Sequence, residues 1–276
     1  MADPILIELC KKIAKRVRRE VLDMAYGVGN TGAHLGGSLS IVELLVGLYF
    51  GKISYDVLDS QWENRDRVIL SKGHAAMALY PVLAEKGIIS KGELTTFKQN
   101  GSRVGGHPSL NGLPGIEFAS GSLGQGLSLG VGTSLGLRLK KNAVSKTYVF
   151  LGDGECDEGS IWEAAASASH LRLNNLVAIV DINSIQYDGF TKDILNLSPF
   201  ESKWRDFGWK TTVIDGHNFE EILDAYNYIG DKPLAILAHT VKGKGVSFME
   251  NNPKYHNAVL TKELYELAIN ELGETF

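Results

Sequence analysis

Cysteine is scarce: the 276 residues hold two, Cys10 and Cys156. Two thiols so far apart in sequence argue against a disulfide framework and suit a reducing compartment, so the cytoplasm is the expected location. Long apolar runs are missing as well. No stretch approaches the roughly 18–20 apolar residues that a membrane-spanning helix needs. The N-terminal MADPILIELCKKIAKRVRRE places its charges after its apolar residues, the reverse of a secretory leader. Nor is there an excess of basic charge: 28 Lys and Arg stand against 32 Asp and Glu, a formal net charge of −4. A polyanion-binding groove is not advertised, so neither nucleic acid nor a membrane is an expected partner.

What is present is a chain with 44% apolar residues, enough to bury a large core, and one domain over residues 1–276 is the expectation. Ile5, Leu9, Ile13, Val17 and Val21 recur four apart with Lys and Arg between them, which predicts an amphipathic helix over residues 5–27 with a solvated basic face. Residues 40–50 (SIVELLVGLYF) read as a buried helix opened by a Ser40–Glu43 capping box. Residues 65–87 read as a strand, a polar turn at 71–74 and a helix. Residues 100–132 concentrate glycine, yet the embedded Val104, Leu110, Ile116, Phe118 and Leu123 predict ordered loops that approach a ligand closely, leading into a helix over 122–138. Thereafter strands at 147–151, 176–181, 209–214 and 234–239 alternate with helices near 160–171, 200–207 and 218–229, and a last helix covers 261–272. Runs such as LVAIV and LAILA suit strands covered on both faces. The fold class is therefore α/β, a mostly parallel central sheet with helices on both faces.

Ligands of such sheets bind beyond the carboxyl ends of the strands. Asp153 and Asn183 both fall at strand ends, about thirty residues apart, the length of one βαβ crossover. A carboxylate and an amide oxygen brought together there are two ligands for a hard cation that completes its shell with phosphate and water. Gly152 and Gly154 around Asp153 allow phosphate oxygens to approach backbone N–H groups at a helix start.

GDG followed some thirty residues later by Asn resembles the thiamine diphosphate motif, and the chain around it is similar to the N-terminal, diphosphate-binding half of the transketolase family. The likeness spans essentially the whole chain. It rests on TGAHLGGSLS (31–40), SKGHAA (71–76), GGHPS (105–109), GSLGQG (121–126), GDGECDEGSIWEA (152–164), DINSIQYDG (181–189) and VKGKG (241–245) with His256. The resemblance implies thiamine diphosphate and Mg2+, or Ca2+ or Mn2+ in its place, as cofactors. Asp153, the Asn183 side chain and the Ile185 carbonyl would hold the metal. Gly154 would meet the diphosphate through its N–H, and Gly121, Leu123, Glu158, Asn183 and Tyr187 would border the cofactor, with Glu158 reaching toward a subunit interface. Tyr187 departs from the aliphatic residue usual in the family. Lys242 would add a cation near the phosphates or reacting oxygens. His34 and His256 would handle the donor sugar's C3 hydroxyl, which a neutral imidazole can deprotonate. His107 would hold the C1 hydroxyl, and His74 and His256 would lie near the cofactor. His170, His217 and His239 match no such role and read as structural. Glu155 and Asp157, where the family often has neutral residues, make sense beside a diphosphate only if they face solvent.

The glutamate that activates the cofactor in this family belongs to a pyrimidine-binding domain that these residues do not contain, and so do most of the groups that grip the sugar phosphate. The implied protein is one subunit of a split transketolase, and the alternative is a fragment. The partner would be a C-terminal subunit carrying that domain, in a heterotetramer with two copies of each chain. Pentose phosphates are the default substrates. Two other readings share part of the motif set: the α subunit of a 2-oxo acid dehydrogenase, and a non-catalytic cofactor-binding module.

Overall fold

The computed structural model describes residues 2–273; Met1 and residues 274–276 of the expected 1–276 domain lie outside them. The first helix, α1 (Pro4–Gly27), starts where the Asp3 side chain accepts the Ile5 N–H and Pro4 fills a position whose N–H would have no partner. The chain continues through α2 (Val42–Gly51), β1 (Arg67–Leu70), α3 (Ala76–Glu85), α4 (Gln125–Leu139) and β2 (Thr147–Gly152). It then alternates α5 (Gly159–His170), β3 (Leu176–Ile182), α6 (Phe200–Asp206), β4 (Lys210–Asp215), α7 (Phe219–Tyr226) and β5 (Leu234–His239), and ends with α8 (Lys262–Leu272).

The five strands form one wholly parallel sheet in the order β1-β2-β3-β5-β4. The path runs in one direction across the sheet until β4 and reverses only for β5. The helices follow that reversal: α5 and α6, after β2 and β3, lie on one face, and α7, after β4, lies on the other. This is the arrangement that right-handed crossovers require. The faces carry separate cores, one joining α1, α2, α3 and α7 through Val17, Leu45, Leu79 and Ile222, the other joining α4, α5 and α6 through Leu127, Ile161 and Trp204. Gly152 pairs with Asp181, and Ile182 with His239, so β2, β3 and β5 finish level along one edge.

The expected capping box does not form. Ser40 lies outside α2, which no side chain caps, and its hydroxyl donates to Asp181 Oδ2 at 2.7 Å. Glu43 is drawn instead to Arg18 and His217. A stronger charged partner in the tertiary structure took each side chain away from the helix end. Residues 100–124 are ordered loops as expected, with Val104 and Leu113 buried, although Leu110 faces solvent. No helix among the described residues is long and apolar enough to cross a membrane.

Candidate active site

The end of β2 places Asp153 beside the loop that leaves β3. Its Oδ1 accepts the Gly154 N–H at 2.8 Å and its Oδ2 the Ser184 N–H at 2.6 Å, so one carboxylate joins the two strand ends. Asn183 donates through Nδ2 to Asp181 Oδ2 at 2.8 Å. A carboxylate can only accept there, so the amide must present its oxygen on the other side, where it takes the Ile185 N–H at 3.1 Å. Asp181 itself is fully enclosed, receiving Lys72, Ser40 and Thr240 as well. Burial raises the Asp181 carboxyl, but Lys72 outweighs it and holds the group below its ordinary value. Asp153 lacks such a contact. Burial, then the charge of Asp181, push it up to about 6.

A buried carboxylate raised in this way is relieved by a cation, and Asn183 and Ile185, which line the same cavity, offer an amide and a carbonyl oxygen. Among the described residues no cluster of three or more His, Cys, Asp or Glu is arranged to hold a metal. A metal here would rest on this mixed oxygen set, which suits Mg2+ more than a soft ion. The residues fit the group that the motif implies.

Lys242 lies over this set. Its Nζ donates to the Ile185 carbonyl at 2.5 Å and sits 3.1 Å from His256 Nδ1. An ammonium only donates, so Nδ1 carries a lone pair. Burial, then repulsion from Lys72, lower Lys242 to about 8 despite the carboxylates nearby.

His34 stands at the centre of the histidines, 5.6 Å between ring centroids from each of His74, His107 and His256, while His74 and His256 stack at 5.1 Å. All four are half-buried. Burial followed by the charge of Lys242 lowers His256 to about 3, and burial with His107 and Lys98 lowers His34 to about 4. His74 and His107 shift the same way, chiefly by burial. The cluster is therefore a set of neutral imidazoles at pH 7, able to accept a proton. Lys98, whose Nζ rests on the Gly32 carbonyl at 2.8 Å, adds a positive field at His34 and His107.

One cavity is lined by His74, Leu123, Asp153, Gly154, Asn183, Ile185, Tyr187, Lys242 and His256. Tyr187 is largely exposed, its ring edge-on to His256 at 5.1 Å. Two expected cofactor neighbours fall outside the lining. Gly121 lies against the His107 ring, and Glu158 is exposed with its stem over Gly124. The Gly154 N–H, expected to face the diphosphate, is donated to Asp153.

The expectation for Glu155 is overturned. It is 2% exposed and accepts the Ser71 hydroxyl, the Gly124 N–H at 2.9 Å and the Gly152 N–H at 3.0 Å, bracing three loops. Asp157 is half-exposed near Gln186. His170 and His239 are exposed and outside the cluster, and His217 bonds to Glu43 and the Val241 N–H. Sequence reasoning missed Lys72 and Asp181. A lysine two residues past the apolar end of β1, and an aspartate as the one polar residue in LVAIVDI, were the available signals.

Comparison with known proteins identifies the family. The family described as "Transketolase, thiamine diphosphate binding domain" matches residues 10–275. The chain is 44% identical over 249 residues to the 6-deoxy-6-sulfo-D-fructose transketolase subunit of Clostridium sp. (strain MSTE9), covering 89% of this chain and 90% of that one. It is 39% identical to an apulose-4-phosphate transketolase subunit of Phocaeicola vulgatus, covering 97% and 95%. The crystal structure of Campylobacter jejuni transketolase superposes with a TM-score of 0.89 at 29% identity. That match covers 99% of this chain but only 43% of the Campylobacter chain.

Proposed function

The chain belongs to the transketolase family, matching its thiamine diphosphate-binding domain, and on that premise we propose that it is the N-terminal subunit of a split transketolase. Two relatives of nearly the same length are named as transketolase subunits. The observation that carries the reading is the meeting of four histidines, centred on His34, two of which, His74 and His256, line the same cavity as Asp153, Asn183 and Ile185.

Thiamine diphosphate, when bound, supplies the nucleophilic carbon that accepts the two-carbon ketol unit. Asp153, Asn183 and the Ile185 carbonyl would hold Mg2+ and through it the diphosphate. Lys242, close to the Ile185 carbonyl, adds positive charge to the same corner. Leu123 supplies an apolar wall, and Tyr187 partly covers the opening. The donor sugar must lose the proton of its C3 hydroxyl as the C2–C3 bond breaks. His34 is uncharged and can take that proton and return it to the acceptor aldehyde in the reverse sense, while His256, whose lone pair faces Lys242, presents its Nε2–H as a donor to the same oxygen. His107, beside His34 in the cluster, is assigned to the C1 hydroxyl.

The substrate class we infer is an anionic sugar, phosphorylated or sulfonated, as the names of the two relatives describe for theirs. Lys98 supports this from the present chain, because it places a cation beside the histidines that would receive the sugar. The remaining parts of the site, including the glutamate that activates the cofactor, are assigned to a partner chain in an assembly with two copies of each.

Calorimetric titration of the chain with thiamine diphosphate in excess Mg2+ tests the cofactor assignment. Binding is expected, weakened by about 10–100-fold in Asp153→Ala. Equal affinity in the two proteins would remove Asp153 from the metal site.

A further inference from the structure

Behind the candidate site, the loop carrying Lys242 is gripped at both ends by a buried charge network. Arg18 of α1 pairs with Glu43 of α2 at 2.6 Å, and both are 7% exposed. The Arg18 Nε donates to the Lys244 carbonyl at 3.0 Å. Glu43 Oε2 also lies 3.0 Å from His217 Nδ1, and His217 Nε2 accepts the Val241 N–H at 2.8 Å. A backbone N–H can only donate, so Nε2 holds the lone pair and the ring proton sits on Nδ1, directed at Glu43. Burial raises the Glu43 carboxyl, but Arg18 and His217 hold it below the ordinary value, as an anion.

We propose that Arg18, Glu43 and His217 form a clamp that positions Lys242 over the cofactor groove. The network touches the loop on either side of Lys242 and nowhere touches the groove. Between those grips the Gly243 N–H donates to the Gly36 carbonyl at 3.0 Å, and the Lys242 carbonyl accepts the Asn251 N–H at 2.8 Å. Only the Lys242 side chain is left to point inward. Gly245 takes a positive φ of 93°, and a Cβ there would lie 2.9 Å from Arg18 Cδ and Nε, so the loop can seat on Arg18 only because this residue is glycine. Two residues distant in sequence, Arg18 of α1 and His217 in the turn after β4, thus grip one pentapeptide, and Glu43 of α2 ties them together. His217, which sequence alone reads as structural, is a positioning residue. The inference rests on the reading of Lys242 as a groove residue.

The test uses the whole chain and two substitutions. His217→Leu removes the acceptor for Val241, whereas His217→Gln keeps an acceptor oxygen near the Nε2 position. In His217→Leu, deuterium exchange of residues 240–246 and the rate of Lys242 acetylation by acetic anhydride are expected to rise about tenfold or more, with the other helices unchanged. Affinity for thiamine diphosphate at saturating Mg2+ falls about 10–100-fold. That fall is expected to vanish in a Lys242→Ala background, and His217→Gln is expected to restore most of the affinity. If His217→Leu does not fold, Arg18→Lys replaces it, because a lysine keeps the charge for Glu43 but its donors sit on a single nitrogen, without the separate Nε that reaches Lys244. A folded variant whose loop stays protected and whose Lys242 stays unreactive overturns the clamp. So does an affinity loss of equal size with and without Lys242. Failure of the unmodified chain to bind thiamine diphosphate counts against the proposed function instead, and the exchange and acetylation arms still decide the clamp.

Discussion

Each histidine of the cluster is held neutral by its surroundings, and two consequences follow for single substitutions. His34→Gln keeps a hydrogen-bonding group in the cluster but loses a base, so kcat of the assembled enzyme should fall by about 10²–10⁴-fold. A kcat within threefold of the unmodified enzyme would place the base elsewhere. The second consequence concerns pH. His34 and His256 titrate near 4 and 3 in the fold, below the ordinary value of 6.5. As pH falls below about 6.5, the unfolded chain takes up these protons and the folded chain does not, so stability drops with acidification until the folded values are reached. His34→Gln removes one such group. Its melting temperature should therefore decline less steeply between pH 7 and pH 4.5 than that of the unmodified chain, and an unchanged slope would contradict the assignment.

Elements are braced at the site by contacts that periodicity does not encode. Glu155→Ala leaves the buried N–H groups of Gly124 and Gly152 and the Ser71 hydroxyl without their acceptor. Each orphaned donor costs about 1–3 kcal/mol, which should appear as a lower denaturation midpoint before any cofactor is added. In α4, a Cβ on Gly130 would lie 2.6 Å from Val149 Cγ2 of β2, whereas one on Gly132 would meet nothing. Gly130→Ala should therefore destabilise by about 1–3 kcal/mol, and Gly132→Ala should stabilise by up to about 1 kcal/mol through helix propensity. Chemical denaturation of the two variants reads both. The elements themselves were legible because apolar runs and glycine breaks mark them: β5 was read at its observed limits, and the other strands of the βαβ stretch within a residue at either end. The Ser40–Glu43 cap was not, since Asp181 and Arg18, the partners that claim those side chains, are far away in sequence. Glu155 was misjudged for the same reason, because two of its three donors, Ser71 and Gly124, are far away in sequence.

At the scale of the whole molecule, the level ends of β2, β3 and β5 explain why motifs scattered from residue 31 to residue 256 meet at one edge. The candidate set was readable from motif order together with family resemblance. Which residues line the cavity depended on packing: Gly121, Glu158, His34 and His107 lie outside the lining, Lys72 is part of it, and the buried Asp181 holds Asn183 from outside it. The chain spans 43% of the Campylobacter transketolase it matches, and on the proposed function the rest of the site belongs to a second chain. The decisive measurement is ketol transfer between anionic sugars, at saturating thiamine diphosphate and Mg2+, with the chain alone and with the partner that co-purifies with it from its native cell. Turnover is expected only in the mixture, and it should be lost when the mixture contains Asp153→Ala. Robust turnover by the chain alone, or full activity of the mixture with Asp153→Ala, would contradict the account.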